Sequence, residues 1–248
     1  MELSRMQKQY LKVFEQIKPH LDYMRTNALR FCHYKGWADI DSPMLYEPDI
    51  LFIGINMGPG RYRNFGCLPP DFPTPWRSTL HYIKDGVARD KEWWNTSNGR
   101  IPKNLFPATI CELLVRIYRH YEAFQSVERK ELSNVFQQRI MATNLYPIVT
   151  ENKAQLDKLL KQYDKETKID LKQLCINRIS ELIRIVRPKC IVLLGRTVER
   201  DIKQHILDFT RNEGRDMPIF IINRKRGWHS RKNISKASDI IYRMICHD

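Results

Sequence analysis

The sequence predicts an α/β fold, a three-layer α/β/α sandwich around a central, mainly parallel sheet of about four strands. Three observations predict it. Short apolar runs recur at wide intervals along the chain. Amphipathic stretches with three- and four-residue spacing separate them, and the runs are apolar at consecutive positions instead of alternate ones. Strands separated by helices imply parallel βαβ units, and continuously apolar strands imply a sheet covered on both faces.

The elements follow in order. Residues 3–33 carry Leu3, Met6, Tyr10, Val13, Phe14, Ile17 and Leu21 at helical spacing, with Pro19 a place for a kink or a division. Ile50–Ile55 (ILFIGI), bounded by Pro48 and a Gly/Pro cluster, reads as a buried strand. A stretch rich in Pro, Trp and Gly follows to Pro107, with a helix expected around Trp76–Val87. Helical spacing returns over Ala108–His120 and Ser126–Gln138, and Ile140–Leu145 (IMATNL) is the second strand. The Lys-rich stretch 150–170 reads as a surface excursion. Leu171–Val186 is a helix that stops before Pro188, and Cys190–Leu194 (CIVLL) is the third strand. Helix over Thr197–Phe209, strand over Ile219–Ile222 and helix over Ser235–Ile245 complete the chain. One domain, 1–248, is expected, with an N-terminal helical elaboration over 1–46 and a loop-rich insertion over about 66–107.

Composition narrows the function. The chain has 42 Lys+Arg against 28 Asp+Glu, a formal charge of +14, which predicts attraction to polyanions and to nucleic acid above all. No run of 18 apolar residues exists, so a membrane span is not expected. Met1–Lys18 is charged and has no signal-peptide core. The expected location is cytoplasmic in a bacterium or nuclear in a eukaryote, and not secreted. Cys32, Cys67, Cys111, Cys175, Cys190 and Cys246 form no C-x-x-C pair, which argues against a zinc ribbon or an iron–sulfur cluster. Cysteines in apolar runs usually pack as small hydrophobes. No metal or organic cofactor is expected.

In open α/β sheets, ligands bind outside the carboxyl ends of the strands. The first strand ends in Asn56-Met57-Gly58-Pro59-Gly60, and the second runs into Asn144-Leu145-Tyr146-Pro147. The third ends at Gly195-Arg196-Thr197 and the fourth at Asn223-Arg224-Lys225-Arg226-Gly227-Trp228-His229-Ser230, followed by Arg231. Amides can read a base edge and hold a water, while Arg and Lys meet phosphates. Taken singly, each has a plainer role: a turn at 56–60, a turn cap at Asn144, a surface histidine at His229 and a solvated charge run at Arg224, Lys225 and Arg226. The first segment also lacks the G-x-G-x-x-G spacing of a dinucleotide loop. Their convergence on one sheet edge of a basic chain is what favours a site.

These residues resemble the uracil-DNA glycosylase superfamily. Ile50–Gly60 (ILFIGINMGPG) resembles its first motif, G-x-N-P-G, nearest to the single-strand-selective and mismatch-specific branches. Thr143–Pro147 (TNLYP) is similar to the N-L-x-P stretch, and Ile191–Glu199 (IVLLGRTVE) to the V-V-x-x-G-R-x-A-E strand–turn–helix. The likeness spans about residues 48–245 in the same order. It implies that Asn56 positions or activates the attacking water and Asn144 hydrogen-bonds an extruded base. Phe65 would stack on that base, with Tyr62 as its rival and Met57 beside them. The final loop would supply the second-motif residue, His229 or else Asn223, and a wedge from Arg226 or Trp228. Arg196, Arg224, Lys225, Ser230 and Arg231 would meet phosphates.

This chain also departs from the pattern. Met57 stands where the family carries proline, the H-P-S-P motif is absent, and so is the aspartate of the G-Q-D-P-Y type. The resemblance therefore implies a monomeric, monofunctional DNA glycosylase whose base is open. The candidates are uracil in repair, or a hydroxymethylated or glucosylated cytosine of phage DNA in antiviral defence. Phe72, Trp76, Trp93 and Trp94 would reshape the pocket wall for a larger base or a single strand, if they are not simply core. The rival readings are a catalytically inactive DNA-binding protein of the same fold and a nucleotide-processing enzyme.

Overall fold

The structure is a computed structural model that describes residues 4–40, 42–56, 105–223 and 228–246. The expectations for Met57, Tyr62, Phe65, Arg224, Lys225 and Arg226, for the helix around Trp76–Val87 and for most of 66–107 lie outside the described residues.

Four strands form one sheet: β1 (Ile50–Gly54), β2 (Ile140–Asn144), β3 (Cys190–Leu193) and β4 (Ile219–Ile221). The spatial order is β2-β1-β3-β4, and every pairing is parallel. Register runs Ile50 beside Ile140 and Cys190, so Gly54 lies opposite Asn144 at the carboxyl end. Alternate residues face opposite layers, as the period of a strand requires. Leu51, Ile53, Met141, Ile191 and Leu193 enter one core cluster, while Ile50, Phe52, Ile140, Ala142, Cys190 and Val192 enter the other. The two-sided burial read from the apolar runs is therefore present.

The first face carries α1 (Arg5–Thr26), α4 (Lys153–Thr167), α5 (Leu171–Val186) and α6 (Arg196–Asn212); the second carries α2 (Leu105–Arg119), α3 (Arg129–Arg139) and α7 (Arg231–Cys246). Helix α1 starts on a capping box, Ser4 accepting from the Gln7 N–H and Gln7 accepting from the Ser4 N–H. It runs through Pro19 without dividing, because Tyr10, Phe14, Ile17, Leu21 and Met24 form one buried stripe on both sides of it. It ends at Thr26, seven residues short of the predicted limit, where Asn27 donates its backbone N–H to the Tyr23 carbonyl. This helix packs on α5 and shares the core of β1 and β2.

One expectation is overturned. Most of the Lys-rich stretch 150–170 is the ordered helix α4, capped by Asn152 and burying Leu156, Leu159, Leu160 and Tyr163. Its four-residue apolar stripe outweighs a polar average composition, since only one face of a surface helix needs to be apolar. Helix α7 also begins earlier than predicted, so Arg231 is its first residue.

Candidate functional site

The parallel sheet brings all four strand ends to one edge. The chain leaves β1 towards β2 on one side, while β3 feeds β4 on the other. The topological switch point therefore lies beside the end of β1, where Asn56 follows Gly54 and Ile55. Backbone bonds extend the sheet past its formal ends: Leu145 N–H to Gly54 O (2.8 Å), Tyr146 N–H to Ile55 O (2.9 Å) and Leu194 N–H to Ile53 O (2.9 Å). The segment after β2 is thus strapped to the segment after β1, and Asn56 and Asn144 sit on adjacent strand ends.

The orientation of Asn56 follows from its partners. Its Nδ2 donates to Thr150 Oγ1 (3.0 Å) and, at a longer 3.4 Å, to the Ile148 carbonyl. The Thr150 hydroxyl spends its own proton on the Asn152 carbonyl (2.9 Å), so it faces Asn56 as an acceptor. A carbonyl and a hydroxyl lone pair both demand the NH2 side of the amide. The oxygen of Asn56 is therefore turned the other way, as an acceptor on a half-buried side chain at the switch point. An acceptor there can orient a water molecule.

Asn144 is 7% exposed. Its side chain lies over Gly54: a Cβ at position 54 would stand 2.6 Å from Asn144 Oδ1 and 3.6 Å from Cγ. Gly54 thus makes room for the amide of the second strand.

Beneath these two residues is a polar cluster that sequence reasoning missed. Arg178 of α5 is buried at 2% exposure and forms an ion pair with the fully enclosed Asp39 carboxylate. Asp39 also accepts from Tyr10 Oη (2.6 Å) and from Thr143 Oγ1 (3.3 Å). The guanidinium donates through Nη1 to Tyr10 Oη (2.8 Å) and through Nη2 to the carbonyls of Asn144 and Leu145, the second at 3.2 Å. Burial works against the Arg178 charge, but Asp39 and Tyr10 outweigh it and hold its pKa above the ordinary value. Burial pushes the Tyr10 hydroxyl well up, so it stays a neutral donor. The signal was visible in the sequence: Arg178 interrupts the buried stripe Cys175, Ile179, Leu182 of an otherwise apolar helix face. A charge in that position must be paired.

The remaining predicted residues are spread more widely along the edge. Arg196 opens α6 and is exposed; Gly195 before it has φ 116°, a conformation that favours glycine. Asn223 is half-buried two residues past β4 and lines a cleft of about 350 Å³ with Phe220, Ile222, Trp228, Asn233 and Ile234. Trp228 packs on the second core cluster, so it is partly a packing residue. His229 is exposed in the turn before α7. Ser230 Oγ accepts weakly from Asn233 N–H (3.4 Å) at the start of α7, and Arg231 is exposed. The structure therefore puts Asn56 and Asn144 at adjacent strand ends and Asn223 two strands from Asn56, about 10 Å across the sheet.

Among the described residues no helix is long and apolar enough to cross a membrane. A scan against protein-family models and a search of curated proteins each give no match to this chain.

Proposed function

We propose that this chain is a monofunctional DNA glycosylase of the uracil-DNA glycosylase type, acting on a flipped base at the carboxyl edge of the sheet. The observation that carries the reading is the Asn56–Asn144 pair: two amides at or just past adjacent parallel strand ends, the first with its NH2 side held by Thr150 and Ile148. The charge of +14 supplies the affinity for a polyanion that such an enzyme needs.

A base stacked in a duplex is out of reach, so it must first be extruded, at a cost of a few kcal/mol. Water then adds to C1′ of the sugar while the N-glycosidic bond breaks and its electron pair leaves with the base. A proton from the water ends on the departing base. In this reading Asn56 Oδ1 accepts a hydrogen bond from that water and aims it, and the Asn144 amide reads the edge of the base. Asn223, two residues past β4 and half-buried in the cleft, is better placed than the exposed His229 to serve as the second-motif residue. Amide donors aimed at developing charge are worth about 2.7–4 kcal/mol of barrier each in enzymes that use them.

The test uses oligonucleotides bearing uracil, hydroxymethylcytosine or glucosylated cytosine, scored for abasic sites. Excision of one of these, lost in Asn56→Ala, is the expected result. Excision that persists in Asn56→Ala refutes the assignment of the site. Tight DNA binding without excision of any base supports the rival reading, a binding protein that keeps the fold but not the reaction.

A further inference from the structure

A second charged feature lies away from the sheet edge. Helices α2 and α7 run side by side on the second face, and between them is a cavity of about 360 Å³. Arg116, Arg119 and His120 line it from α2 and the residue after it, Arg129 from the start of α3, and Ser235 and Asp239 from α7. Its acids are already engaged. Glu112 takes both Arg116 (2.9 Å) and Arg129 (3.3 Å), and Asp239 takes His120 Nε2 (3.0 Å) while that ring stacks on Tyr242. Arg119 has no ion pair among the described residues and is exposed.

The rim adds more charge of the same sign. Lys232, Lys236 and Arg243 are exposed on α7 and have no ion pair among the described residues. Spacings of four and seven residues put all three on one face of a helix, about 6 and 10.5 Å apart along its axis. Asp239 is the acid on that face, and His120 holds it. These spacings correspond to about two and three of the ~3.4 Å axial steps between charges on one nucleic-acid strand. The guanidinium of Arg119 at the cavity offers a fork suited to phosphate oxygens. Helix α7 starts two residues after His229, so the row leads away from the candidate site itself.

The geometry points to the α2–α7 face as a track for the phosphate backbone of DNA flanking the site, with the Arg119 cavity seating one phosphate. This inference rests on the glycosylase reading only in taking DNA as the partner; it adds a surface that the sheet edge does not contain. A nucleic-acid strand fits better than an anionic membrane. Arg119 lines a polar cavity that α7 borders, and the face offers no large exposed apolar side chain for insertion: among the described residues those are Tyr23, Leu29, Tyr46 and Ile169, none of them on α2 or α7.

The test compares the full chain with the triple variant Arg119→Ser/Lys232→Ser/Lys236→Ser, by fluorescence anisotropy on a labelled 30-base-pair duplex from 50 to 200 mM salt. Three lost phosphate contacts should lower the slope of log K against log salt by about 2.7 and weaken binding at least tenfold at the lowest salt. Lys158→Ser/Lys161→Ser/Lys165→Ser on α4 removes the same charge from exposed positions on the other face. It should leave the slope nearly unchanged. Equal losses in the two triple variants, or no loss in the first, overturn the track while leaving the glycosylase reading standing. A wild-type chain with no measurable DNA affinity overturns both. Binding to phosphatidylserine vesicles that falls in the first variant, with DNA binding unaffected, also overturns the track and makes the face a membrane contact.

Discussion

Gly54→Ala is the smallest change that probes the site. The glycine has no positive φ, so the backbone there tolerates a side chain. The obstacle is Asn144, whose Oδ1 would lie 2.6 Å from the new methyl carbon, well inside van der Waals contact. Asn144 is enclosed, and its own carbonyl is held by Arg178 while the next residue is strapped to Gly54. The amide must therefore rotate within a packed space instead of swinging into solvent. Overpacking of this size costs about 1–3 kcal/mol. In an Asn144→Ala background the clash is gone, and replacing a strand glycine then stabilises by about 0.5–1 kcal/mol. The same substitution should thus change sign with its neighbour, a coupling of about 1.5–4 kcal/mol across the double-mutant cycle. For a chain of this length each kcal/mol moves the melting temperature by about 2–4 °C, so thermal and urea denaturation of the four proteins resolve it. An equal cost of Gly54→Ala in both backgrounds would refute the reasoning, because it would mean that the methyl group meets something other than the Asn144 amide.

Three further outcomes are expected. Replacing Arg178 by Leu strands the Asp39 carboxylate in the core and should cost about 3–5 kcal/mol in urea denaturation, with partial recovery in Arg178→Met/Asp39→Leu; a single-variant loss below about 1 kcal/mol would show that the pair is not buried as described. Burial pushes the thiols of Cys111 up to about 11 and of Cys175 and Cys190 up to about 12. Since the thiolate is the nucleophile, iodoacetamide at neutral pH should label the exposed Cys32 and Cys246 in the native protein and spare those three until unfolding. Burial lowers the pKa of His20, whose Nδ1 pairs with Tyr163 Oη at 2.5 Å. The folded state then resists a proton that the unfolded chain takes up near pH 6.5, so stability is full above that pH and declines as the pH falls below it. His20→Phe should flatten the fall in the urea midpoint between pH 7 and 5.5; an unchanged slope would remove His20 from the account.

The strands were legible because each is a short run of consecutive apolar residues, and a parallel sheet buried on both faces leaves no other pattern for them. Ile50–Gly54, Ile140–Asn144, Cys190–Leu193 and Ile219–Ile221 all fall within the runs that predicted them. Leu171–Val186 was legible at both ends, since Pro188 stops it and Asp170 caps it. Helix α4 was not, because its lysines mask a stripe that occupies only one face. Asn56 and Asn144 could be named in advance as residues just past apolar runs. Their supports could not. Thr150 looks like an ordinary loop residue, and Asp39, Tyr10 and Arg178 are separated by up to 168 positions along the chain.

By itself, the sequence determined the α/β class, the positions of the four strands, the basic charge and the amide-bearing strand ends. All of these are set by local pattern and composition, which need no knowledge of distant contacts. Tertiary structure alone decided the order β2-β1-β3-β4, which puts Asn56 at the switch point with Asn144 beside it and Asn223 two strands away. It alone decided that Arg178, from a helix on one face, reaches the carbonyls at the end of β2, and that α2 and α7 border a cavity lined by Arg116, Arg119 and Arg129. The physical reason is that hydrogen bonds, ion pairs and excluded volume act through space. Residues far apart in the chain become partners only when the folded core brings them within a few ångströms.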